Sequence, residues 1–139
     1  MRFESSADID ASPEMVWMAV SDPEDWPLWV PSLQKVEKLS PVPLGVGSRL
    51  YVTVKAIIKV KLHMTITEFV PENSVVMQGK VLCTRLVRFY RLEGIDRRTR
   101  LVAGGEARGP LAWVVSRSGR KLSEEIVEAL KKRVEEVRV

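Results

Sequence analysis

The sequence predicts an α+β domain: a curved antiparallel sheet covered by one long C-terminal helix. Three observations predict it. Phe3, Ser5, Ala7 and Ile9 alternate with Arg2, Glu4, Ser6, Asp8 and Asp10, the period of two that marks a half-buried strand. Between Pro43 and Pro110 only Pro71 interrupts a block of alternating apolar residues, which reads as successive strands joined by short turns and hence antiparallel. Finally, Leu111, Val115, Leu122, Ile126, Leu130, Val134 and Val137 recur at helical spacing. No other predicted element is long enough to cover the apolar face of the sheet.

The elements follow in order. After the first strand, Ser12 is placed to cap a helix, with Pro13 at its first position and Glu14 in its first turn. Met15, Val16, Ala19 and Val20 form its apolar stripe, with Trp17 beside it. Asp22-Pro23 ends this helix and caps a shorter one over residues 24–30, where Pro27 is tolerable only in the first turns and Pro31 is the stop. Residues 33–39 read as a strand, and Pro41, Pro43, Gly45 and Gly47 as a loop. Leu50, Val52, Val54, Ala56 and Ile58 share one phase of a strand. Val60, Leu62, Met64 and Ile66 share one phase of the next, with a hairpin turn near residues 57–61 that lacks a Gly or Asn signal. Pro71-Glu72-Asn73 is a clearer turn. Strands over 75–82, 85–92 and 99–107 follow, the last two separated by Gly94 and Asp96-Arg97-Arg98. The final helix would span ~40 Å if unbroken, with a weak point for a kink at Ser116-Arg117-Ser118-Gly119.

Composition bounds the function. A chain of 139 residues is one domain, 1–139, with no repeat or linker. No apolar run approaches the ~20 residues of a membrane span, and no signal peptide is visible. Cys83 is the sole cysteine, so an intrachain disulfide or a cysteine metal cluster is excluded and a reducing cytoplasm is the expected location. One Asn and two Gln against 22 Lys and Arg read as a thermophile composition. Residues 1–40 carry a net charge of −5 and residues 41–139 a net of +9. The intermixed signs read as a solvated surface, with an anionic membrane, nucleic acid or acidic partner as the alternative. Lys55, Lys59 and Lys61 have no alternating aromatic platform, so sequence-specific nucleic-acid binding is not expected.

The order β-α-α-β6-α resembles the helix-grip fold of the START-like (SRPBCC) superfamily, which includes polyketide cyclases. The local match is Ile9-Asp10-Ala11-Ser12-Pro13-Glu14-x-Val16-Trp17, then Asp22-Pro23-Glu24, Trp29-x-Pro31 and Gly45-x-Gly47. Within the superfamily the chain is most similar to the G-type subunits of carbon monoxide dehydrogenase, through Val54-Lys55, Val60-Lys61 and Gly109-x-Leu111-Ala112. The resemblance implies a curved sheet wrapped around the long helix and a deep cavity between them, entered near the two short helices. Many relatives bind lipids, quinones, steroids or polyketides there, and some catalyse cyclisation or dehydration.

Catalysis in such a cavity needs inward polar groups with partners. The inferred inward phase is Phe3, Ser5, Ala7, Ile9, Leu50, Val52, Val54, Leu62, Met64, Ile66, Val75, Met77, Leu101 and Ala103, of which only Ser5 is polar. No catalytic residue is therefore assigned. His63 belongs to the outer phase and has no second ligand nearby, so no metal site and no cofactor is assigned. Cys83 reads as a buried or edge thiol. Strand 85–92 has two open phases: Val87 and Phe89 inward with Arg85 and Arg91, or Leu86, Tyr90 and Leu92 inward with Arg88. A buried Arg would need an anionic partner, such as Glu106 or a ligand carboxylate, and an Arg snorkelling from the strand end is the simpler alternative. The candidate ligand contacts are Trp26, Trp29 and Trp113 as aromatic grips, Val54, Met64, Met77, Phe89, Val115 and Leu122 as apolar lining, and Gly119 as a position that either leaves room or lets helix and sheet approach closely.

The function expected is non-covalent binding of an apolar small molecule, as carrier or accessory factor rather than enzyme. The alternatives are a cyclase/dehydratase-type enzyme and a module recruited to a membrane or protein partner. The chain is expected to be a monomer or homodimer.

Overall fold

In the computed structural model, which describes residues 1–39, 43–55 and 59–138, seven strands form one antiparallel sheet in the order β1-β7-β6-β5-β4-β3-β2. Its strands are β1 (Arg2–Ile9), β2 (Leu33–Lys38), β3 (Arg49–Lys55), β4 (Lys59–Val70), β5 (Ser74–Val81), β6 (Thr84–Ile95) and β7 (Arg98–Arg108). Between β1 and β2 stand α1 (Pro13–Val20) and a 3₁₀ helix (Pro23–Leu28); α2 (Ala112–Arg138) closes the chain. The predicted helix-grip architecture is the one observed. The expected loop residue Pro41, the strand positions Ala56 and Ile58, and the β3–β4 turn lie outside the described residues, as does the side chain of Val137.

The chain crosses the sheet only once, when it passes through the two short helices from β1 at one edge to β2 at the other. Each later strand pairs with its sequence neighbour, and β7 returns to β1 with Phe3 opposite Gly105 and Ile9 opposite Thr99. Register shifts curl the sheet around α2: Thr67 bulges between Ile66 and Glu68 on β4, and a second shift falls between Leu33 and Lys35 on β2. The inner face carries Phe3, Ile9, Leu50, Met64, Ile66, Met77 and Leu101 against Val115, Ile126, Leu130 and Val134 of α2, all buried. Burying an aliphatic side chain of this size stabilises the fold by about 1.5–3 kcal/mol.

Ser12 caps α1 as its position predicts, its hydroxyl accepting from the Met15 amide. Three elements differ from the sequence reading. The second short helix is 3₁₀ rather than α; Pro27 inside it lacks an N–H, and three-residue bonds such as Trp29 N–H to Trp26 C=O are made. β6 runs to Ile95 with Gly94 paired to Thr99, so Gly94 is a strand residue and the turn is Asp96-Arg97. α2 passes through Ser116–Gly119 without interruption. There the Ser116 hydroxyl donates to the Met1 carbonyl and Gly119 faces the sheet.

Two carboxylates fasten α2 to its surroundings. Glu125 accepts from both the amide and the hydroxyl of Ser32, each at 2.6 Å, just after the 3₁₀ helix. Glu135 accepts from the Asp10 amide at 2.9 Å, just before α1. The two short helices are thus held at both ends.

Candidate ligand-binding cavity

Between the concave face of the sheet and α2 lies a cavity of about 140 Å³. Its walls follow from the two periodicities. Alternate residues of β3 to β6 point inward, and α2 presents one stripe. The sheet supplies Val54, Leu62, Met64 and Met77, and the helix supplies Val115, Gly119 and Leu122. The buried ends of Pro23 and Trp26 form the floor below the short helices. Trp26 is held there by its indole N–H, which donates to the Ala19 carbonyl at 2.9 Å, and by an edge contact with Tyr90 at 5.2 Å between ring centroids.

The exposed members of the lining, Leu82 and Ser118, lie at the opposite end, where the β5–β6 hairpin meets the first turns of α2. The cavity therefore opens by that hairpin, not near the short helices. Leu82 and Cys83 form a two-residue turn with φ of 51° and 59°. Both are left-handed, the conformation a tight hairpin with matched twist demands and one that Leu rarely adopts. Cys83 is exposed in this turn rather than buried.

Seven of the expected contacts, Trp26, Val54, Met64, Met77, Val115, Gly119 and Leu122, are brought together on this cavity. Three are not. Phe89 is on the outer face, with the Arg91 guanidinium 4.7 Å from its ring centroid. It covers Gly104, its cross-strand partner, where a Cβ would come within 2.9 Å of the ring. Trp113 is 59% exposed, because the stripe of α2 that meets the sheet runs through Val115 and Gly119 and leaves Trp113 on the solvent side. Trp29 lines a separate groove with Met15, Met18, Asp22, Asp25 and Arg133. In that groove burial, and then hydrogen bonding and repulsion from Asp25, raise the Asp22 carboxyl above the ordinary aspartate range. Trp17, half-buried, packs edge-on against Phe69 and against the core.

Of the two phases left open for strand 85–92, the structure adopts the one that turns Leu86, Arg88, Tyr90 and Leu92 inward. Arg85 and Arg91 are exposed, and Arg91 pairs with Glu4 at 3.0 Å. Arg88 is 5% exposed and borders the cavity. Its Nε donates to the Tyr90 hydroxyl at 3.2 Å, Nη1 to the Gly119 carbonyl at 3.4 Å and Nη2 to the Ser123 hydroxyl at 2.9 Å. Ser123 in turn donates to the Gly119 carbonyl at 2.7 Å. The rings of Phe3 and Tyr90 stand 5.6 Å and 5.7 Å from the guanidinium carbon. Among the described residues no carboxylate pairs with Arg88; Glu106, one partner considered for it, pairs outside with Arg108 at 2.7 Å. Periodicity alone leaves Arg88 undecided because both phases of β6 carry apolar residues together with arginine. The deciding signal is across the strands, where Gly104 leaves a seat for Phe89 on the outer face.

Besides Arg88 and Tyr90, Ser118 is the only polar member of the lining among the described residues; none is Asp, Glu, His or Lys. His63 is on the outer face, tilted against Tyr51 at 4.6 Å. Among the described residues no three His, Cys, Asp or Glu converge as a metal site, and no helix is long and apolar enough to cross a membrane.

Comparison with known proteins agrees with this architecture. Residues 1–135 match the family described as polyketide cyclase/dehydrase and lipid transport. The Zhui aromatase/cyclase of a Streptomyces species (R1128) superposes with a TM-score of 0.86 at 15% identity, over 100% of this chain and 96% of that one. The protein TTHA0849 of Thermus thermophilus does so with 0.84 at 17% identity, over the whole of both chains. A START superfamily protein of Mycobacterium smegmatis gives 0.81 at 18% identity, over 98% of each. These likenesses are of fold. No curated protein matches the sequence.

Proposed function

The chain belongs to the polyketide cyclase/dehydrase and lipid transport family, and from that premise we propose that its cavity binds an apolar small molecule non-covalently, as a carrier or accessory factor rather than an enzyme. The observation that carries this reading is the lining itself. Aliphatic and thioether side chains from five strands and α2 face one another across space instead of interlocking, and the lining holds no carboxylate, imidazole or amine among the described residues. Apolar walls with a few placed polar groups suit ligand capture, and general acid–base work would need a titratable pair. Trp26 in the floor is a built-in reporter. Titration with an apolar aromatic probe is expected to quench its fluorescence saturably, and Leu122→Trp, which fills the cavity, is expected to abolish binding. Absence of saturable binding across aromatic, quinone and lipid probes would overturn the reading.

A second reading, a cyclase or dehydratase, is favoured by one observation: the Arg88 guanidinium and the Tyr90 hydroxyl, 3.2 Å apart, both border the cavity. Together they are able to polarise a carbonyl oxygen. This reading predicts product from a poly-β-ketone substrate, lost in Tyr90→Phe. The finer likeness to the G-type subunits of carbon monoxide dehydrogenase, with their membrane or protein partner, rests on the sequence motifs named above; Lys55, Lys59 and Lys61 are exposed as such a partner face would need.

A further inference from the structure

We propose that the ligand of this cavity is a compact amphiphilic acid, an apolar body of about one ring carrying a carboxylate that is held by Arg88. The inference rests on the apolar-cavity reading and adds the chemistry of the polar end. Arg88 is a cation that cannot shed its proton, buried where each unpaired ion costs on the order of several kcal/mol. Buried arginines are ordinarily matched by carboxylates, and here, among the described residues, none is. Neutral groups surround it instead: two hydroxyls, one carbonyl and two aromatic faces.

Those groups fix its direction. Of the five N–H donors of a guanidinium, one from each nitrogen is engaged, by Tyr90, Gly119 and Ser123. One N–H remains on each terminal nitrogen, the complement that a carboxylate takes up bidentately. Ser123 is itself oriented by its bond to the Gly119 carbonyl, so the fork is held before any ligand arrives. The acid is the class that supplies the missing charge, because an alcohol or amide would leave the cation unneutralised. Size follows from the walls: about 140 Å³ is close to the ~150 Å³ that accommodates a benzene ring in an apolar protein cavity.

Isothermal titration at about pH 7.5, where a carboxylic acid is ionised, with hydrocinnamate and its neutral amide tests this. Wild type is expected to prefer the acid by about tenfold or more, the effect of a charge-assisted hydrogen-bond pair. Arg88→Met is expected to lose that preference, bringing the acid and amide affinities to within about twofold of each other, and to melt no lower than wild type. Ser123→Ala, which retains the charge but frees one side of the fork, is expected to keep a reduced preference. Equal affinities for acid and amide in wild type, or a preference that survives Arg88→Met, would overturn the carboxylate assignment and leave the apolar-cavity reading standing. Failure of both compounds and of the apolar probes to bind would overturn the two together.

Discussion

The Phe3 ring occupies the place where a side chain on residue 119 would begin: a Cβ there would meet Phe3 Cζ at 2.6 Å. This contact lets α2 lie close against β1 and brings the Gly119 carbonyl within reach of Arg88. Of the two roles considered for Gly119, close approach of helix and sheet is the one observed. Gly119→Ala sets two effects against each other. Alanine gains about 1 kcal/mol of helix propensity, whereas overpacking a buried ring costs about 1–3 kcal/mol. Phe3 is 3% exposed and has nowhere to turn, so the second effect wins. A 2.6 Å approach puts the cost at the upper end of that range, so thermal melting is expected to show a net loss of about 2 kcal/mol, recovered in the double variant Gly119→Ala/Phe3→Leu. An unchanged melting temperature in the single variant would refute the contact.

The β5–β6 hairpin carries strain at the cavity mouth. Leu82 and Cys83 are both left-handed, where Asn-Gly is the favoured pair. The double substitution Leu82→Asn/Cys83→Gly is expected to stabilise the protein by about 1 kcal/mol or more. Urea denaturation monitored by tryptophan fluorescence would show the shift. A midpoint at or below wild type would mean that Leu82 contributes more by packing on the mouth than its backbone conformation costs.

The fold was legible because its signals are periodic. Alternation in β1 and β3 to β5, the Ser12-Pro13 cap and the stripe from Val115 to Val134 each depend on one strand or helix at a time. The cavity was legible where it lies on those same stripes, at Val54, Met64, Met77, Val115 and Leu122. It was not legible at β6, where Leu86-Val87 and Phe89-Tyr90 leave both faces apolar; the phase shows only in the cross-strand pairs, with Phe89 seated on Gly104 outside and Arg88 opposite Gly105 inside. The misplaced tryptophans have a similar cause. Residue type alone puts Trp113 and Trp29 on the cavity, whereas their positions depend on how α2 and the short helices rotate against the sheet.

The Glu125–Ser32 clamp ties the end of the short helices to α2. Both Ser32 donors converge on one carboxylate at 2.6 Å, and the Trp26 floor lies just before them in sequence. Removing that carboxylate costs about 1.5–3 kcal/mol, the usual size for hydrogen bonds to a charged acceptor. With Glu125→Ala, amide exchange over residues 13–30 is expected to accelerate more than exchange in β6 and β7. Uniform acceleration would instead mean that the clamp supports the whole fold and not the floor.

Two aspartates give opposite signs of pH dependence. Asp8 is held below the ordinary aspartate range by the hydrogen bond from Arg100 Nε at 2.9 Å and by nearby positive charge. Its contribution is present above the unfolded-state pKa and is lost as pH falls through the folded one. Asp22 is raised, so its favourable contribution exists at low pH and is lost as pH rises through its folded pKa. Asparagine imitates the protonated acid in both cases. At neutral pH Asp8→Asn is therefore expected to melt slightly below wild type, since the pair is exposed and screened, and Asp22→Asn slightly above it. The Asp22 difference should shrink towards zero at about pH 3, below the ordinary aspartate value, whereas the Asp8 difference should persist to lower pH, until its depressed folded pKa is passed. Melting curves of the three proteins across this range check the signs. A neutral-pH loss of stability in Asp22→Asn would show that the carboxylate supports the start of the 3₁₀ helix more than burial and Asp25 oppose its charge.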